Sequence, residues 1–538
     1  MNRLFRKSPS LALVLRTCVE FSGKELRFSY VRNFGFPLLG AKSNNFCTRK
    51  DEGIEALDSI CDLLRRSADW ERLDASFRSV ELSNTLVDGV LLSLKEPVDA
   101  KKALGFFHWC SRRRDYHHGL RSYCLIIHVL VRAGLFLDAR ALLESVILKN
   151  SGSETFLFSI VETLVNTYEE VLSCPKVFDY LVQTYSKLRM FDMAFRASAY
   201  IGEHGFFPSL ISFNTLLHVV QRSDQNDLVW KVYEYMIVKR IYPNHLTVEI
   251  MTNSMCKGGI LVKVVDVLDR IHSKRCSPTV IVNTALTLMI IDQNRVEDGI
   301  TLLKRMLQKN MILDDVACSM TVYAYCKMGN LQLAYSSYDS MLKRGHCMNS
   351  FVCTSLIGLL CREGNVEDAN CLLDEMLLAG LNPYDETYNL LIEWCSKLGR
   401  LEQSLAFYNQ MLHRGHLPSC SAVTEMTGQL CKAGDVKCAD DILTVLLDKG
   451  FTPDELTYCH LIDGFGRAGK FQDVLKLYHE LEWRGPSPSL AVYTSVIRSL
   501  CQCERLKEAE KILTVMQQKS LVPSREIYEM ISRASQKR

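Results

Sequence analysis

The chain has 538 residues, of which 48% are hydrophobic and 23% are charged, and 64 Lys and Arg against 61 Asp and Glu give a net charge of +3. The hydrophobic content excludes a chain that is disordered throughout. The near-neutral balance excludes a protein that binds polyanions by overall charge alone. No run of about 18 apolar residues occurs, so the sequence predicts no membrane span.

The 21 cysteines contain no Cys-x-x-Cys pair. Their spacing therefore predicts neither a disulfide framework nor a zinc site, and the sequence indicates no metal or other cofactor. Abundant unpaired cysteine is typical of a reducing compartment. Five cysteines recur at one position of a repeat described below, where we expect small buried residues: Cys256, Cys326, Cys361, Cys431 and Cys501.

Residues 1–50 differ in charge from the rest of the chain. They contain two acidic residues, Glu20 and Glu25, and ten basic ones: Arg3, Arg6, Lys7, Arg16, Lys24, Arg27, Arg32, Lys42, Arg49 and Lys50. This composition predicts an organelle transit peptide, with the mitochondrion as the expected destination and the chloroplast as the alternative. A disordered basic tail is the other interpretation. Since the segment contributes +8, residues 51–538 carry −5.

Residues 51–174 have an irregular helical pattern. The stretches 103–109 and 122–143 resemble the repeat described next, so we predict one or two degenerate repeats here. Leu157, Ile160, Val161 and Leu164 recur with helical spacing and begin an amphipathic stripe that continues to Leu172. The stripe predicts a helix that packs on its neighbours.

A frame of 35 residues then recurs ten times between residues 175 and 524. The segment 385–419 displays it with Tyr388, Gly399, Met411, Gly415 and Pro418 at positions 4, 15, 27, 31 and 34. Repeats 1 to 10 begin without insertions at residues 175, 210, 245, 280, 315, 350, 385, 420, 455 and 490. Residues 525–538 resemble the start of a further repeat. The period therefore defines the fold.

Each repeat has two apolar stripes with helical spacing. In repeat 7 the first contains Tyr388 and Leu391, the second contains Leu405 and Met411, and Gly399 separates them. This pattern predicts a hairpin of two helices of about 12 residues each. Because one hairpin cannot bury both of its faces, we expect an all-α superhelical solenoid of helix-turn-helix repeats with a concave groove.

Position 13 of the repeat is basic in eight of the ten copies: Lys187, Arg222, Lys257, Lys327, Arg362, Lys397, Lys432 and Arg467. Asp292 and Gln502 occupy it in the other two. One cation per stacked repeat predicts a line of positive charge that follows a chain of phosphates. The alternative is a preference of cations for the negative end of a helix.

These landmarks resemble the pentatricopeptide repeat family, in its P class of 35-residue repeats found in plant organelles. The resemblance covers all ten repeats and rests on motifs such as Tyr388-Asn389, residues 431–434 (CKAG) and the Met-x-x-x-Gly-x-x-Pro ending from Met376 to Pro383. It implies that the groove binds single-stranded RNA, one base per repeat, with the N-terminal repeats toward the RNA 5′ end.

In that family, positions 5 and 35 recognise the base and an apolar residue at position 2 sandwiches it. The resemblance assigns a pyrimidine to Asn214 with Asn244 (cytosine before uracil) and to Asn389 with Ser419. It assigns guanine to Thr284 with Asp314 and to Thr424 with Asp454, and adenine to Ser319 with Asn349. The implied base-sandwiching residues are Ile211, Leu246, Ile281, Val316, Phe351 and Leu456.

Some positions depart from the family pattern. The pairs without a known base preference are Asp179 with Ser209, Glu249 with Thr279, Thr354 with Tyr384, and Cys459 with Ser489; Thr494 with Ser524 is only weakly suggestive of a purine. At position 2, Glu386 and Ser421 replace the apolar residue. These two departures lie in repeats 7 and 8. The predicted core target, 5′ to 3′ from repeat 2, is pyrimidine, any, G, A, any, pyrimidine, G.

The sequence indicates no enzyme and no catalytic residues. A zinc deaminase, which some relatives carry, needs His-x-Glu and Cys-x-x-Cys, and the chain contains neither. We therefore expect a non-catalytic RNA-binding protein that supports splicing, stability or translation of an organellar transcript, with other RNA-processing proteins as possible partners. The alternative is a helical-repeat scaffold for a protein partner.

Overall fold

The structure, a computed structural model, describes residues 50–66, 70–77, 81–113, 115–150, 152–272, 274–484 and 488–536. The predicted transit peptide lies outside these residues, apart from Lys50. Within them the chain forms α-helices, a short 3-10 helix at Pro97–Asp99 and no β-strand, so the predicted all-α class is confirmed. None of the described helices is both long enough and apolar enough to span a membrane.

The chain divides into two compact bodies. The N-terminal body contains the residues up to Leu261 together with Ser277–Val282. Its helices are α1 (Lys50–Arg66), α2 (Trp70–Phe77), α3 (Asn84–Ser93), α4 (Ala100–Ser111), α5 (Leu120–Arg132), α6 (Phe136–Lys149), α7 (Glu154–Val171), α8 (Lys176–Lys187), α9 (Phe191–Glu203), α10 (Leu210–Arg222), α11 (Asn226–Val238) and α12 (His245–Lys257). Helix α7 coincides with the amphipathic stripe predicted from Leu157.

The C-terminal body contains Val262–Cys276 and the residues from Asn283 onward. Helices α13 (Ile260–His272) and α14 (Pro278–Asp292) lie mainly in it. They are followed by α15 (Val296–Gln308), α16 (Asp314–Met328), α17 (Leu331–Lys343), α18 (Ser350–Arg362), α19 (Val366–Leu378), α20 (Asp385–Lys397), α21 (Leu401–His413), α22 (Cys420–Ala433), α23 (Val436–Asp448), α24 (Glu455–Arg467), α25 (Phe471–Arg484), α26 (Leu490–Gln502), α27 (Leu506–Gln518) and α28 (Arg525–Gln536).

From α8 onward, each repeat consists of a first and a second helix. Gly399 ends the turn between the two helices of repeat 7, and Gly415 follows the second; their φ angles are 74° and 81°. Only glycine adopts this left-handed conformation with little steric cost. In repeat 7 these two glycines therefore allow the chain to leave each helix at little steric cost.

First helices pack on first helices within the C-terminal body. Helices α16, α18, α20, α22, α24 and α26 contact one another in succession, and each also contacts the second helix that follows it. Tyr388, Leu391 and Met411, which the apolar stripes predict to be buried, are at most 1% exposed. Their burial supplies the hydrophobic contacts that hold successive repeats together.

The cysteines at position 12 bear out the predicted packing in part. Cys326, Cys361 and Cys431 are buried, and Cys501 is half-buried. Cys256 is exposed, so the prediction is wrong for this residue. Cys256 lies in the last turn of α12, where Lys257 and Gly258 are exposed as well.

Gly466 marks the closest approach of two first helices, α24 and α26. A Cβ atom at Gly466 would lie 2.4 Å from the Cβ and 2.8 Å from the Cα of Ser499. We therefore predict that Gly466→Ala forces the helices apart. Overpacking costs about 1–3 kcal/mol, which exceeds the roughly 0.5–1 kcal/mol that alanine gains over glycine in a helix.

Thermal unfolding followed by circular dichroism measures this effect. Gly152→Ala is the matched control, because a Cβ atom there meets nothing within 4 Å. We expect a lower midpoint for Gly466→Ala only. Equal midpoints for the two variants would contradict the close packing of α24 on α26.

Candidate functional site

Positions 5 and 35, which lie 30 residues apart in sequence, meet at the junction between consecutive repeats. In repeat 2, Asn214 Nδ2 donates a hydrogen bond of 3.1 Å to Asn244 Oδ1. Asn244 is also the N-cap of α12, where its Oδ1 accepts from the backbone N–H of Thr247 at 3.0 Å. The Thr247 hydroxyl donates to Asn214 Oδ1 at 2.6 Å. The pair is therefore held at the start of a helix by a small polar network.

The same junction recurs in repeats 5 and 8. In repeat 5, Asn349 Nδ2 donates to Ser319 Oγ at 3.0 Å. In repeat 8, Thr424 Oγ1 donates to the Asp454 carboxylate at 3.0 Å. Asn349 and Asp454 cap α18 and α24, as Asn244 caps α12. Such caps stabilise a helix by about 0.5–2 kcal/mol, so position 35 has a structural role besides the predicted one.

In repeat 7, Asn389 contacts the backbone of its partner. Asn389 Oδ1 accepts from the Ser419 N–H at 2.8 Å, while the Ser419 side chain caps α22. Four of the five predicted recognition pairs are thus brought within hydrogen-bond distance.

Repeat 4 differs because Asp314, its position-35 residue, pairs with a histidine of the next repeat. Asp314 is the first residue of α16 and pairs with His346 Nε2 at 2.9 Å, and Thr284 is fully buried. Asp314 and His346 also lie near Cys318, with their possible ligand atoms within 4.8 Å of one another. Arg344 directs Nη1 to the Cys318 sulfur at 3.8 Å, so a cation already occupies the surroundings of the thiol.

The position-2 residues fall into two groups. Ile211, Leu246 and Leu456 are exposed, at 71%, 48% and 53%. Ile281, Val316 and Phe351 are buried, at 4%, 0% and 7%. Exposed apolar side chains beside a capped polar pair can stack on a flat ligand. Only the first group offers such a face in this structure.

The position-13 cations all lie at the C-terminal end of first helices, from Lys187 on α8 to Arg467 on α24. Arg362 donates through Nη2 to the carbonyl of Cys326 at 2.6 Å, and Lys257 donates to that of Gln221 at 3.2 Å. Each thus caps the end of the preceding first helix. This geometry fits the alternative of a helix-end preference for these two.

Other position-13 cations have acidic or aromatic neighbours. Lys327 Nζ lies 3.7 Å from Asp292, and Lys397 pairs with Glu393 at 2.5 Å and lies over the Trp394 ring. Lys187, Arg222 and Lys432 are exposed. Lys257, Lys327, Arg362 and Lys397 are exposed as well, so the position-13 cations differ in their protein partners and not in their exposure class.

A cleft of about 420 Å³ lies within the C-terminal body, between α13 and the first helices α14, α16, α18 and α20. Helix α13 contributes Lys263, Asp266, Val267 and Arg270 to its lining. The first helices contribute positions 2, 5, 9 and 13 of several repeats, among them Phe351, Thr354, Tyr323, Arg362 and Glu386. In this stretch the predicted recognition face is thus partly covered by a helix of the same chain.

Arg270 makes the most extensive contact in the cleft. Its guanidinium lies 3.9 Å from the centre of the Tyr384 ring, and Nη1 lies 3.0 Å from Glu386 Oε2. Nη2 lies 2.8 Å from Asp266 on the same helix. At the other end of α13, Lys263 lies 3.4 Å from Asp292.

Burial raises the pKa of two tyrosines, Tyr323 in the cleft and Tyr384 under Arg270. Burial raises the pKa of Tyr323, and so does the hydrogen bond that its hydroxyl donates to Asp292 at 2.5 Å. Burial also raises the pKa of Tyr384, against the opposing effect of Arg270. Both phenols therefore remain protonated at neutral pH and serve as neutral donors and ring faces.

The sequence pattern does not indicate Arg270 as part of this site. Tyr384 and Glu386 lie 114 and 116 residues after Arg270, and the 35-residue period predicts no contact between them. The one available signal was that Tyr384 and Glu386 depart from the family pattern at neighbouring positions. Two departures so close in sequence indicate an unusual environment, but they do not identify the residue that contacts them.

Family models match several stretches of the chain. The model described as "PPR repeat family" matches residues 208–257 and 348–392. Models described as "PPR repeat" match residues 316–346, 386–416, 456–486 and 484–517. All of these stretches lie within the ten predicted repeats.

Among solved structures, the chain is similar to the pentatricopeptide repeat protein PPR10 from maize. The two are 16% identical, the match covers 88% of this chain and 79% of that chain, and the TM-score is 0.38.

Curated relatives come from Arabidopsis thaliana. One mitochondrial pentatricopeptide repeat-containing protein is 43% identical over 240 residues, which is 45% of this chain and 43% of that protein. Another that is named mitochondrial is 27% identical over 180 residues, 34% of this chain and 33% of that protein. The matches thus span less than half the length of these relatives. Together with the family models, they show that the chain contains pentatricopeptide repeats and is similar to plant proteins of that family.

Proposed function

We propose that this chain binds single-stranded RNA along the face formed by its first helices, with one base per repeat and no catalysis. The observation that carries the proposal is the meeting of positions 5 and 35 in repeats 2, 5, 7 and 8, since it brings short polar groups together at the start of a first helix. Amide, hydroxyl and carboxylate groups present different donor and acceptor sets to the edge of a base.

The proposal includes the P class of the family and the core target pyrimidine, any, G, A, any, pyrimidine, G. We further propose that the protein acts on a mitochondrial transcript. The basic, acid-poor composition of residues 1–50 supports import into an organelle, and two relatives are named mitochondrial. Covering a segment of RNA would block nucleases or competing base pairing, which would support splicing, stability or translation.

Repeat 2 offers the sharpest test of base recognition, because its pair is hydrogen-bonded and Ile211 is exposed. We predict that Asn244→Asp shifts the preferred base from cytosine toward uracil. A carboxylate only accepts hydrogen bonds, and uracil presents an N–H donor at the centre of its edge. We expect the ratio of affinities to change about tenfold, or about 1.4 kcal/mol.

Asp caps a helix about as well as Asn, so the substitution retains the start of α12. Fluorescence anisotropy with RNAs that differ only at the first core nucleotide measures the shift, and Asn310→Asp, at an exposed loop residue, is the control. An unchanged ratio in the Asn244 variant would argue against recognition by this pair.

The position-13 cations are tested by replacing Lys327, Arg362, Lys397 and Lys432 together with Gln. We predict weaker binding to all RNA sequences, because the affected contacts are to phosphates. Each phosphate contact to a single strand contributes about −0.7 to the slope of log affinity against log salt. The slope should therefore become shallower by up to about 2.8, as measured by titrations between 50 and 300 mM salt.

A matched variant replaces four exposed lysines of second helices or their ends: Lys304, Lys343, Lys437 and Lys449. We expect it to keep the wild-type slope, and circular dichroism verifies that both variants are folded. If the two fourfold variants have the same slope, the cations at position 13 do not follow the RNA. An RNA affinity that does not fall with added salt would argue against phosphate contacts, and it would favour the alternative of a scaffold for proteins.

A further inference from the structure

Two residues that depart from the family pattern, Tyr384 and Glu386, flank one predicted base site. Tyr384 is position 35 of repeat 6, opposite Thr354 at position 5, and Glu386 is position 2 of repeat 7. Phe351, at position 2 of repeat 6, lines the same cleft. A base bound at this site would lie among these side chains.

Arg270 of α13 occupies that place. Its guanidinium lies over the Tyr384 ring at 3.9 Å and pairs with Glu386 at 3.0 Å. A guanidinium is planar and carries hydrogen-bond donors along its edge, and it stacks on aromatic rings. The guanidinium therefore stacks on the ring and donates to the carboxylate, as a flat base with an amino group on its edge would. Its side chain is only 15% exposed.

The polar partner of the site is also engaged within the protein. Thr354 Oγ1 lies 2.7 Å from Thr387 Oγ1, and both residues are buried. At position 2 the contrast is as clear, since Phe351 is 7% exposed while Ile211 in repeat 2 is 71% exposed. Repeats 2 and 8 have the same contact at position 5, and Ile281 and Val316 are buried as deeply at position 2, so the feature that distinguishes this site is Arg270.

Two further ion pairs involve helix α13, one at Arg270 and one at Lys263. Asp266, one turn earlier on α13, orients the guanidinium at 2.8 Å, and Lys263 pairs with Asp292 at 3.4 Å. Two ion pairs that link α13 to first helices lie on the side that faces the cleft. A carboxylate at position 2 would repel RNA phosphate, whereas it attracts an arginine.

We propose that Arg270 is an internal ligand of the base site between repeats 6 and 7, so that this site takes no base while α13 lies on the first helices. The proposal rests on the proposed function and adds a residue that determines specificity. The fifth nucleotide of the core is then unrecognised because an arginine fills its site. Removal of the arginine opens the site.

The test uses the full chain as wild type, Arg270→Ala and Arg275→Ala. Arg275 is exposed and follows α13, so its variant removes the same charge at a matched place. Hydrogen–deuterium exchange without RNA is the first readout. We expect faster exchange of 260–272 in Arg270→Ala only. Equal exchange in all three proteins would overturn the proposal, since Arg270 would not hold α13.

RNA with single abasic nucleotides is the second readout. For the wild type, we expect loss of the fifth core base to change the affinity less than twofold and loss of the first to weaken it about tenfold. In Arg270→Ala, loss of the fifth base should cost at least threefold. A wild type that loses as much at the fifth as at the first nucleotide would overturn the proposal, as would an Arg270 variant that matches Arg275→Ala.

Failure of the proposed function has a different signature. If none of the three proteins binds RNA of any sequence, the function is wrong and the base site falls with it, although exchange of α13 still reports whether Arg270 holds the helix. If RNA binds and discriminates at the first nucleotide but Arg270→Ala changes nothing, only the internal ligand is wrong.

Discussion

The junction between one first helix and the next is the constraint on which the rest of the structure depends. The backbone N–H groups at the start of a helix need partners, and in repeats 2, 5 and 8 the residue at position 35 supplies one. The same side chain contacts position 5 of its own repeat. Stacking, helix capping and placement of the predicted recognition pair therefore depend on the same few atoms. This shared dependence explains why a 35-residue period is kept without insertions.

Much of the fold could be predicted from the sequence because each repeat buries only its neighbours. Tyr388, Leu391 and Met411 follow helical spacing, and Gly399 and Gly415 adopt the left-handed conformation that ends helices. The contact of positions 5 and 35 also follows from spacing, as four pairs show. These features depend on residues that are close in sequence or one repeat apart, so they can be read from the sequence alone.

Other features depend on contacts between distant parts of the chain. The exposure of Cys256, the burial of Val316 and Phe351, and the Arg270 contact with Tyr384 and Glu386 have no signal in the period. The cations at position 13 show a related limit. A basic residue at a helix end suits a phosphate and a carbonyl equally, and in Arg362 the carbonyl of Cys326 is the partner observed. Sequence periodicity predicts where a charged residue lies in the repeat. The protein groups that compete for its charge can be identified only from the fold.

Recognition of a defined order of bases by the repeats can be measured by a mobility-shift titration. The full chain is titrated into single-stranded RNA that carries the core pyrimidine, any, G, A, any, pyrimidine, G, and into RNA of equal length and composition with the core shuffled. We expect the core RNA to bind at least tenfold more tightly. Equal affinity for the two RNAs would contradict this expectation.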